Sequence, residues 1–250
     1  MSIDDFLYSL GGAVERVIML VIRGLKSFFF PRPRKSPPSF PISGRLSSKY
    51  TPHERVSLHL QLLFILYIAS SFVLVALVNR PFLFLALSCV YLLYLRYALN
   101  AYGDFLIDPA PYRFFYYGLS LLSFLVFVGY LVLKRLNENV VWYYAYLLAV
   151  VVSVIAFWIY FKRKFGRDYT YGVVEEVKND LLRVFVHDDI SANVKPGFYW
   201  LPAVPDAEPG RVVKVLVENR AFRGARPVRI LEVYLSQSSQ SSTEPKNATE

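Results

Sequence analysis

The sequence predicts a membrane α-helical bundle of four transmembrane helices, with an N-terminal amphipathic helix and a C-terminal small all-β barrel of the OB or SH3-like kind. Two observations predict this class. Four long apolar runs lie between residues 52 and 164, and short segments rich in Val, Tyr and Phe follow from residue 169. Of all residues, 55% are hydrophobic and only 19% are charged, and almost all charges lie outside the runs. This segregation is typical of a membrane protein.

The four runs have the length that a membrane-spanning helix needs. A helix crosses the hydrocarbon core with about 20 apolar residues. The first, third and fourth runs reach this length, and the second reaches it if the helix continues through Arg96 to about Tyr102. The runs are approximately Val56–Val78, Pro81–Leu95, Phe114–Leu133 and Val140–Phe161.

Capping and turn signals set the limits of these helices. Thr51-Pro52-His53-Glu54 has the pattern of a capping box with proline at the first helical position, so the first helix should begin there. Asn79-Arg80-Pro81 predicts a very tight turn, and therefore an antiparallel hairpin of the first two helices. We assign residues 51–165 to the four-helix transmembrane domain.

Few polar side chains lie in or beside the runs. Arg96 is the one charge within an apolar run, near the far interface, where an arginine snorkels toward the headgroups. Alternatively, this intramembrane polar residue pairs with Asp104 or Asp108 and lines a polar cavity. We interpret His53 and His59 as solvated interfacial histidines.

Residues 1–30 are predicted to form an amphipathic helix in the plane of the membrane interface, because their charges share less than half of the helix circumference. A helix packed on the protein's own bundle is the alternative. Asp4 and Asp5 suit the start of a helix and argue against a secretory signal peptide. The cations expected to contact lipid headgroups, here and further along the chain, are Arg16, Arg23, Lys26, Arg32, Arg34, Lys35, Lys162, Arg163 and Lys164.

Residues 31–50 form a linker rich in proline and in basic residues, which should be extended and semi-rigid. Residues 1–55 carry nine Lys/Arg against four Asp/Glu, a balance that suits an anionic bilayer surface. Four spans place both chain ends on one side. The basic flanks therefore predict a multi-pass protein of the plasma membrane with both termini cytoplasmic.

Residues 166–235 are predicted to form a cytoplasmic β-barrel domain. Partly alternating segments rich in Val, Tyr and Phe are separated by turn sequences such as Lys178-Asn179-Asp180. Residues 236–250 form a tail rich in Ser and Gln that is too polar to fold. The predicted strands are Tyr169–Val177, Leu181–Val186, Phe198–Leu201, Arg211–Glu218 and Val228–Leu235.

Two places in the β domain carry side chains suited to binding. His187-Asp188-Asp189 has the residue types of metal ligands but no second cluster, which favours a polar hairpin turn. The loop before the last strand combines arginines with a phenylalanine, which favours a membrane-facing or solvated loop, with a contact to a partner or a phosphate group as the alternative. The residues concerned are Arg220, Phe222, Arg223 and Arg226.

The chain carries no His-Glu-x-x-His, Gly-x-Ser-x-Gly, P-loop or dinucleotide-binding glycine pattern. We therefore expect no enzyme, no metal and no cofactor. The favoured function is a scaffold or adaptor that presents the β domain at the cytoplasmic membrane face to a protein partner. The alternative is an oligomeric small channel or transporter component. The expected partners are a bilayer with anionic headgroups and a protein at the C-terminal domain; a homo-oligomer stays open, and nucleic acid is not expected.

Three stretches of the chain carry a resemblance: Asp4-Asp5-Phe6-Leu7-Tyr8, Thr51–Glu54, and Ile190-Ser191-Ala192-Asn193-Val194-Lys195-Pro196-Gly197. With the overall layout, they resemble an uncharacterised family of archaeal multi-span membrane proteins. This resemblance covers nearly the full chain and implies no activity and no functional residue. In architecture alone, spans followed by a small β-barrel are similar to NfeD-type membrane proteins, which implies a partner-binding role by analogy of fold.

Overall fold

The computed structural model describes residues 19–20, 33–38, 51–136, 139–220 and 224–234. The chain divides into two units, residues 1–150 and 151–250. The predicted amphipathic helix lies outside the described residues apart from Met19 and Leu20, which are helical. The predicted C-terminal tail also lies outside them.

Four helices have the length and composition to cross a membrane, which confirms the four predicted spans. The second helix continues past Arg96, as its length required. The helices are α1 at Pro52–Phe72, which continues as a π-helical turn over Val73–Leu77, α2 at Pro81–Ala101, α3 at Pro109–Leu136 and α4 at Val140–Phe165.

Local sequence sets the ends of these helices. The Oγ1 of Thr51 accepts a hydrogen bond from the amide of Glu54 at 3.4 Å, and the Glu54 carboxylate accepts one from the Thr51 amide at 3.1 Å. The predicted capping box is therefore present. Asn79 adopts a φ of 56°, a left-handed conformation that asparagine tolerates, and so allows the tight turn into α2. Asp108 accepts a hydrogen bond from the amide of Ala110 at 3.1 Å and caps the start of α3.

The helices α1, α2 and α3 pack together through apolar and aromatic side chains. Leu60, Phe84 and Leu95 are almost completely buried. The ring of Phe84 stacks on that of Phe124 with centroids 5.6 Å apart. Within a hydrocarbon solvent, close van der Waals packing of this kind is a main source of helix association.

A glycine brings α3 close to the first half of α4. A Cβ on Gly129 would lie 3.0 Å from the ring of Tyr146, so the bare backbone makes room for that ring. The Tyr146 hydroxyl donates a hydrogen bond to the carbonyl of Val126. Small residues allow such approach between membrane helices.

The second unit contains an antiparallel five-stranded sheet with the order β3-β2-β1-β4-β5. The predicted five strands are therefore present, although the last one begins four residues earlier than predicted, at Gly224 instead of Val228. The strands are β1 at Tyr169–Lys178, β2 at Leu181–Val186, β3 at Gly197–Pro202, β4 at Val212–Arg220 and β5 at Gly224–Tyr234.

The core of this unit lies on the inner face of the sheet. Side chains alternate between the two faces of a strand, so Val184 and Val186 of β2 and Val213 and Val215 of β4 all point inward. These four valines are completely buried. The residues between these valines lie on the outer face of the sheet.

The sheet curls into a half-barrel. Its edge strands meet at one end, where Val194 and Ala225 form a parallel bridge and the Ala225 amide donates to the carbonyl of Asn193 at 2.8 Å. Two residues of β5, Val228 and Leu231, are skipped in its pairing with β4, and bulges of this kind increase strand twist. The domain is thus all-β as predicted, and its barrel is half open.

The close contact at Gly172 in β1 gives a first prediction. A Cβ there would lie 2.6 Å from Cγ1 of Val184 and 2.9 Å from the carbonyl oxygen of Phe185. We expect Gly172→Ala to lower the free energy of unfolding of the β domain by about 1–3 kcal/mol, because overpacking displaces neighbouring atoms. Hydrogen exchange of the β-domain amides in the intact protein measures this change.

Gly197→Ala is the matched control, because its Cβ would meet nothing closer than 3.7 Å. Equal loss of protection in both variants would contradict the prediction.

Candidate functional site

A row of exposed and partly exposed apolar side chains crosses the outer face of the half-barrel from edge to edge. The strand register places each member directly opposite the next, in the order Phe198, Phe185, Val173, Val212 and Tyr234. We call these five residues the apolar row. Phe198, Val212 and Tyr234 are 50%, 43% and 42% exposed. Because neighbouring strands lie about 4.8 Å apart, the row is about 19 Å long.

The β2–β3 end of the apolar row is the most aromatic. The rings of Phe185 and Phe198 lie 5.0 Å apart, and the Arg183 guanidinium lies 4.3 Å above the Phe198 ring. Trp200, two residues further along β3, is 47% exposed on the same face. These contacts hold the aromatic side chains in place before any partner arrives.

Charged pairs border the apolar row on both sides. Arg183 lies 3.5 Å from Glu176 on one side, and Lys214 lies 3.2 Å from Glu232 on the other. An apolar centre with a charged and polar rim is the usual composition of a protein-binding surface. A contiguous exposed apolar patch on a folded domain indicates an interaction site.

A buried carboxylate fixes the loop between β2 and β3. Asp189 is only 3% exposed. Its Oδ2 accepts hydrogen bonds from the Arg167 guanidinium at 2.9 Å and from the Thr170 hydroxyl at 2.7 Å, and its Oδ1 accepts from the amides of Ser191 and Ala192 at 3.0 and 3.2 Å. These four bonds use the acceptor capacity of a carboxylate. The described part of the chain contains no group of three or more His, Cys, Asp or Glu side chains placed to hold a metal ion.

The same network joins the sheet to the end of α4. Only three residues, Gly166 to Asp168, separate α4 from β1. The carbonyl of Asp168 accepts a hydrogen bond from the Val217 amide at 2.8 Å, and the Arg167 amide donates to the Ser191 carbonyl at 3.3 Å. The ammonium group of Lys162, in the last turn of α4, lies 3.5 Å from the Asn219 side chain. Backbone and side chains therefore hold the sheet at the helix end, in addition to the covalent connection.

Histidines lie at one end of α1, among side chains of α2 and α3. His53 is 5% exposed, with Nδ1 3.2 Å from the Phe105 carbonyl oxygen and Nε2 3.4 Å from the Tyr112 hydroxyl. The prediction of a solvated His53 is therefore wrong, because partners from two other segments enclose it. His59 is partly buried, with Nε2 3.1 Å from the Tyr94 hydroxyl.

Part of the basic linker is attached to the end of α2. The amide of Arg34 donates to the carbonyl of Ala101 at 2.9 Å, and its guanidinium donates to the Tyr97 hydroxyl at 2.6 Å. The guanidinium carbon also lies 5.8 Å from the ring centroids of both Tyr97 and Tyr102. Arg34 is thus held by tyrosines, while its contact with lipid headgroups stays a prediction.

A polar contact joins α1, α2 and α3 inside the bundle. The rings of Tyr67 and Tyr91 stack with centroids 4.0 Å apart. The Tyr67 hydroxyl is hydrogen-bonded to that of Ser88 at 3.2 Å, and the Tyr91 hydroxyl to that of Ser120 at 2.8 Å. Each tyrosine thereby satisfies its hydroxyl where water is absent.

The other predicted site residues are dispersed. Arg96 is exposed on α2, and no ion pair joins it to Asp104 or Asp108 within residues 51–136. Lys162 and Lys164 lie over the rings of Trp158 and Phe165, at 5.6 and 5.4 Å. Exposed positions are found for Lys35, Arg163 and Arg226. The side chain of Arg220 and the whole of Arg16, Arg23, Lys26, Arg32, Phe222 and Arg223 lie outside the described residues.

The sequence interpretation missed the apolar row and the role of Asp189. Phe198 and Trp200 alternate along a short predicted strand, and that spacing was a usable signal of one aromatic face. The rest of the row needs the pairing register, which a single sequence does not contain. Asp189 directly precedes the stretch Ile190–Gly197, which provides two of its donors, but its two side-chain donors come from β1 and from the residues after α4.

The Asp189 network gives a second prediction. We expect Asp189→Asn to lower the free energy of unfolding of the β domain by about 3 kcal/mol, because the mostly buried guanidinium of Arg167 loses its anionic partner. Hydrogen exchange of the Ser191 and Ala192 amides in the intact protein reports the loss. Glu208→Gln is the control: its ion pair with Arg211 is 69% exposed on the glutamate side, so the change should stay below about 1 kcal/mol. A similar effect of both changes would refute the role of burial.

The tyrosine–serine contact gives a third prediction. Tyr91→Phe should lower the stability of the helix bundle by about 1 kcal/mol, since the variant loses a buried interhelical hydrogen bond. Unfolding in mixed detergent micelles measures this effect. Tyr144→Phe, at a position that is 68% exposed on α4, should leave stability unchanged, and a comparable loss there would count against the assignment.

Comparisons with curated proteins and with solved structures found no match. A family model described as a predicted membrane protein, DUF2101, matches residues 25–231. The matched residues include the whole linker, all four spans and nearly all of the β domain. This confirms the expected resemblance to an uncharacterised membrane-protein family. The chain therefore belongs to the DUF2101 family of predicted membrane proteins.

Proposed function

We propose that this protein is a membrane-anchored scaffold or adaptor, which presents its β domain to a protein partner at the cytoplasmic face of the plasma membrane. The observation that supports this best is the apolar row, which crosses every strand of the sheet and is exposed at both ends. An exposed row of this kind lowers the solubility of a domain that has no partner. A partner that covers it removes apolar surface from water.

The aromatic end of the row is suited to provide the main binding energy. Phe198 and Trp200 project from the same face of β3, and Phe185 and Arg183 support them from β2. Aromatic and arginine side chains dominate the energetics of protein interfaces. The paired charges beside the row form the rim that positions a partner and excludes water.

The anchoring network supports an adaptor role in a second way. Because Asp189 and Asp168 fix the sheet to the residues that follow α4, a bound partner is held at the end of a transmembrane helix. The basic residues Lys162, Arg163 and Lys164 at this end favour the cytoplasmic side. We also propose that the protein acts by binding and not by catalysis. The channel alternative stays a prediction.

The test is affinity purification of the full-length protein from native membranes, with mass spectrometry of the proteins that accompany it. We expect a stoichiometric companion with the natural chain. The variant Phe198→Asp should reduce its recovery at least tenfold, because a main anchor residue of an interface contributes about 2 kcal/mol or more.

Val177→Asp is the matched control, since Val177 is 47% exposed on β1 and lies outside the apolar row. Its companion should be recovered as from the natural chain. If no companion accompanies the natural chain, or if Phe198→Asp retains the companion, the adaptor proposal is wrong.

A further inference from the structure

Two arginines lie at a similar depth near one end of the helix bundle. Arg96 precedes the last residue of α2, Ala101, by five positions, and Arg113 follows the first residue of α3, Pro109, by four. At a rise of 1.5 Å per residue, both backbones lie within about 8 Å of the helix ends along the helix axis. From that depth the long side chain of arginine reaches the headgroup region of a bilayer.

The packing of α2 against α3 brings the two arginines to the same part of the bundle. The helices run antiparallel, and the Tyr91 hydroxyl of α2 is hydrogen-bonded to that of Ser120 in α3 at 2.8 Å. Five residues further along α2 therefore correspond to about five residues back along α3, so that Arg96 lies level with the turn from Arg113 to Tyr117. The Tyr117 hydroxyl is within electrostatic range of both guanidinium groups.

The Arg113 side chain extends from α3 to the end of α2. A Cβ on Gly103, in the short turn that follows α2, would lie 3.6 Å from Nη2 of Arg113. Each of the two helices thus contributes one cation to the groove between them.

The protein provides no anion for these two cations within the part of the chain that the structure describes. The connection between the helices contains Asp104 and Asp108, but no ion pair joins either carboxylate to Arg96 or Arg113. Both arginine side chains are exposed. A guanidinium at the edge of the hydrocarbon is costly unless an anion or water solvates it. The two positive charges are therefore available to an anion from outside the protein.

Exposed leucines continue from the arginines towards the middle of the membrane. Leu92 lies one helical turn deeper than Arg96, and Leu121 lies one turn deeper than Tyr117. These leucines are 40% and 57% exposed. A cationic place followed by apolar surface matches a ligand that has an anionic head and a hydrocarbon chain. A soluble anion would use only the first part of this surface.

Charge complementarity indicates the class of lipid. Arginine presents a fork of donors that fits the oxygens of a phosphate group, and the Tyr117 hydroxyl adds a further donor. Two guanidinium groups repel the ammonium group of a zwitterionic lipid such as phosphatidylcholine. With the cytoplasmic termini proposed above, this end of α2 and α3 faces the cytoplasmic leaflet, where anionic lipids are found.

We propose that Arg96, Arg113 and Tyr117 form a binding site for one anionic phospholipid in the groove between α2 and α3. The two guanidinium groups donate hydrogen bonds to its phosphate, and an acyl chain lies along Leu92 and Leu121. Basic pockets between membrane helices recognise lipid headgroups in this way. The site gives the protein a lipid ligand and does not depend on the proposed adaptor function.

The test is native mass spectrometry of the full-length protein, purified in detergent and mixed with phosphatidylglycerol or with phosphatidylcholine. We expect the natural chain to retain one phosphatidylglycerol at least about tenfold better than one phosphatidylcholine. The double variant Arg96→Gln/Arg113→Gln should lower the retention of phosphatidylglycerol at least about tenfold, because charge-assisted hydrogen bonds to the phosphate are lost. Unchanged retention by this variant overturns the inference.

Arg80→Gln/Arg135→Gln is the matched control, because it removes two exposed arginines from the opposite end of the helices. It should retain phosphatidylglycerol as the natural chain does, and an equal loss in both double variants overturns the inference. An excess of inorganic phosphate should not displace the lipid, because the acyl chain adds apolar contacts. Displacement by phosphate identifies a soluble anion as the ligand and excludes the lipid.

A second measurement uses the natural chain alone and so does not depend on the folding of a variant. Phosphatidylglycerol with a photoreactive group in the upper part of its acyl chain is placed in vesicles that contain the full-length protein. We expect crosslinks concentrated at Leu92 and Leu121, and fewer of them when the same label is carried by phosphatidylcholine. Crosslinks spread evenly over the exposed faces of the four helices overturn the inference.

Discussion

The buried carboxylate of Asp189 is the contact on which the C-terminal unit depends. It receives two amides of its own loop, a hydroxyl from β1 and the guanidinium of Arg167 from the residues after α4. The loop that it fixes also reaches Ala225, and so holds the two edges of the half-barrel together at one end. This closed end and the bulges of β5 accompany the curvature of the sheet.

The polar groups of the two units find their hydrogen-bond partners in different ways, because hydrocarbon and water differ as solvents. In the helices, hydrocarbon replaces water, and the hydroxyls of Tyr67 and Tyr91 therefore bond to serines on neighbouring helices. In the sheet, water is available on the outer face, and charged pairs such as Lys214 and Glu232 remain at the surface. Apolar residues also remain exposed on that outer face, and they form the surface that the proposed partner would cover.

Much of the fold could be predicted because its signals are local. Helix length in a membrane and the capping box at Thr51 depend only on neighbouring residues, and both were found as expected. The burial of His53 and the bonds of Asp189 to Arg167 and Thr170 depend on residues that are distant in sequence, so no local pattern reports them. The apolar row could be predicted only in part. Alternation along β3 places Phe198 and Trp200 on one face, but only the register of the five strands connects this face to Tyr234.

The shortness of two helix connections has a consequence for how the chain enters a membrane. Three residues, 78–80, join α1 to α2, and three more, 137–139, join α3 to α4. With four spans and the cytoplasmic termini proposed above, these six residues are the only polypeptide between helices that must be moved to the opposite side. Each helix pair can insert as a hairpin whose connecting turn contains few polar residues. No folded domain then has to cross the bilayer, and its large desolvation cost is avoided. On that proposed topology, the β domain folds in the compartment where it is synthesised.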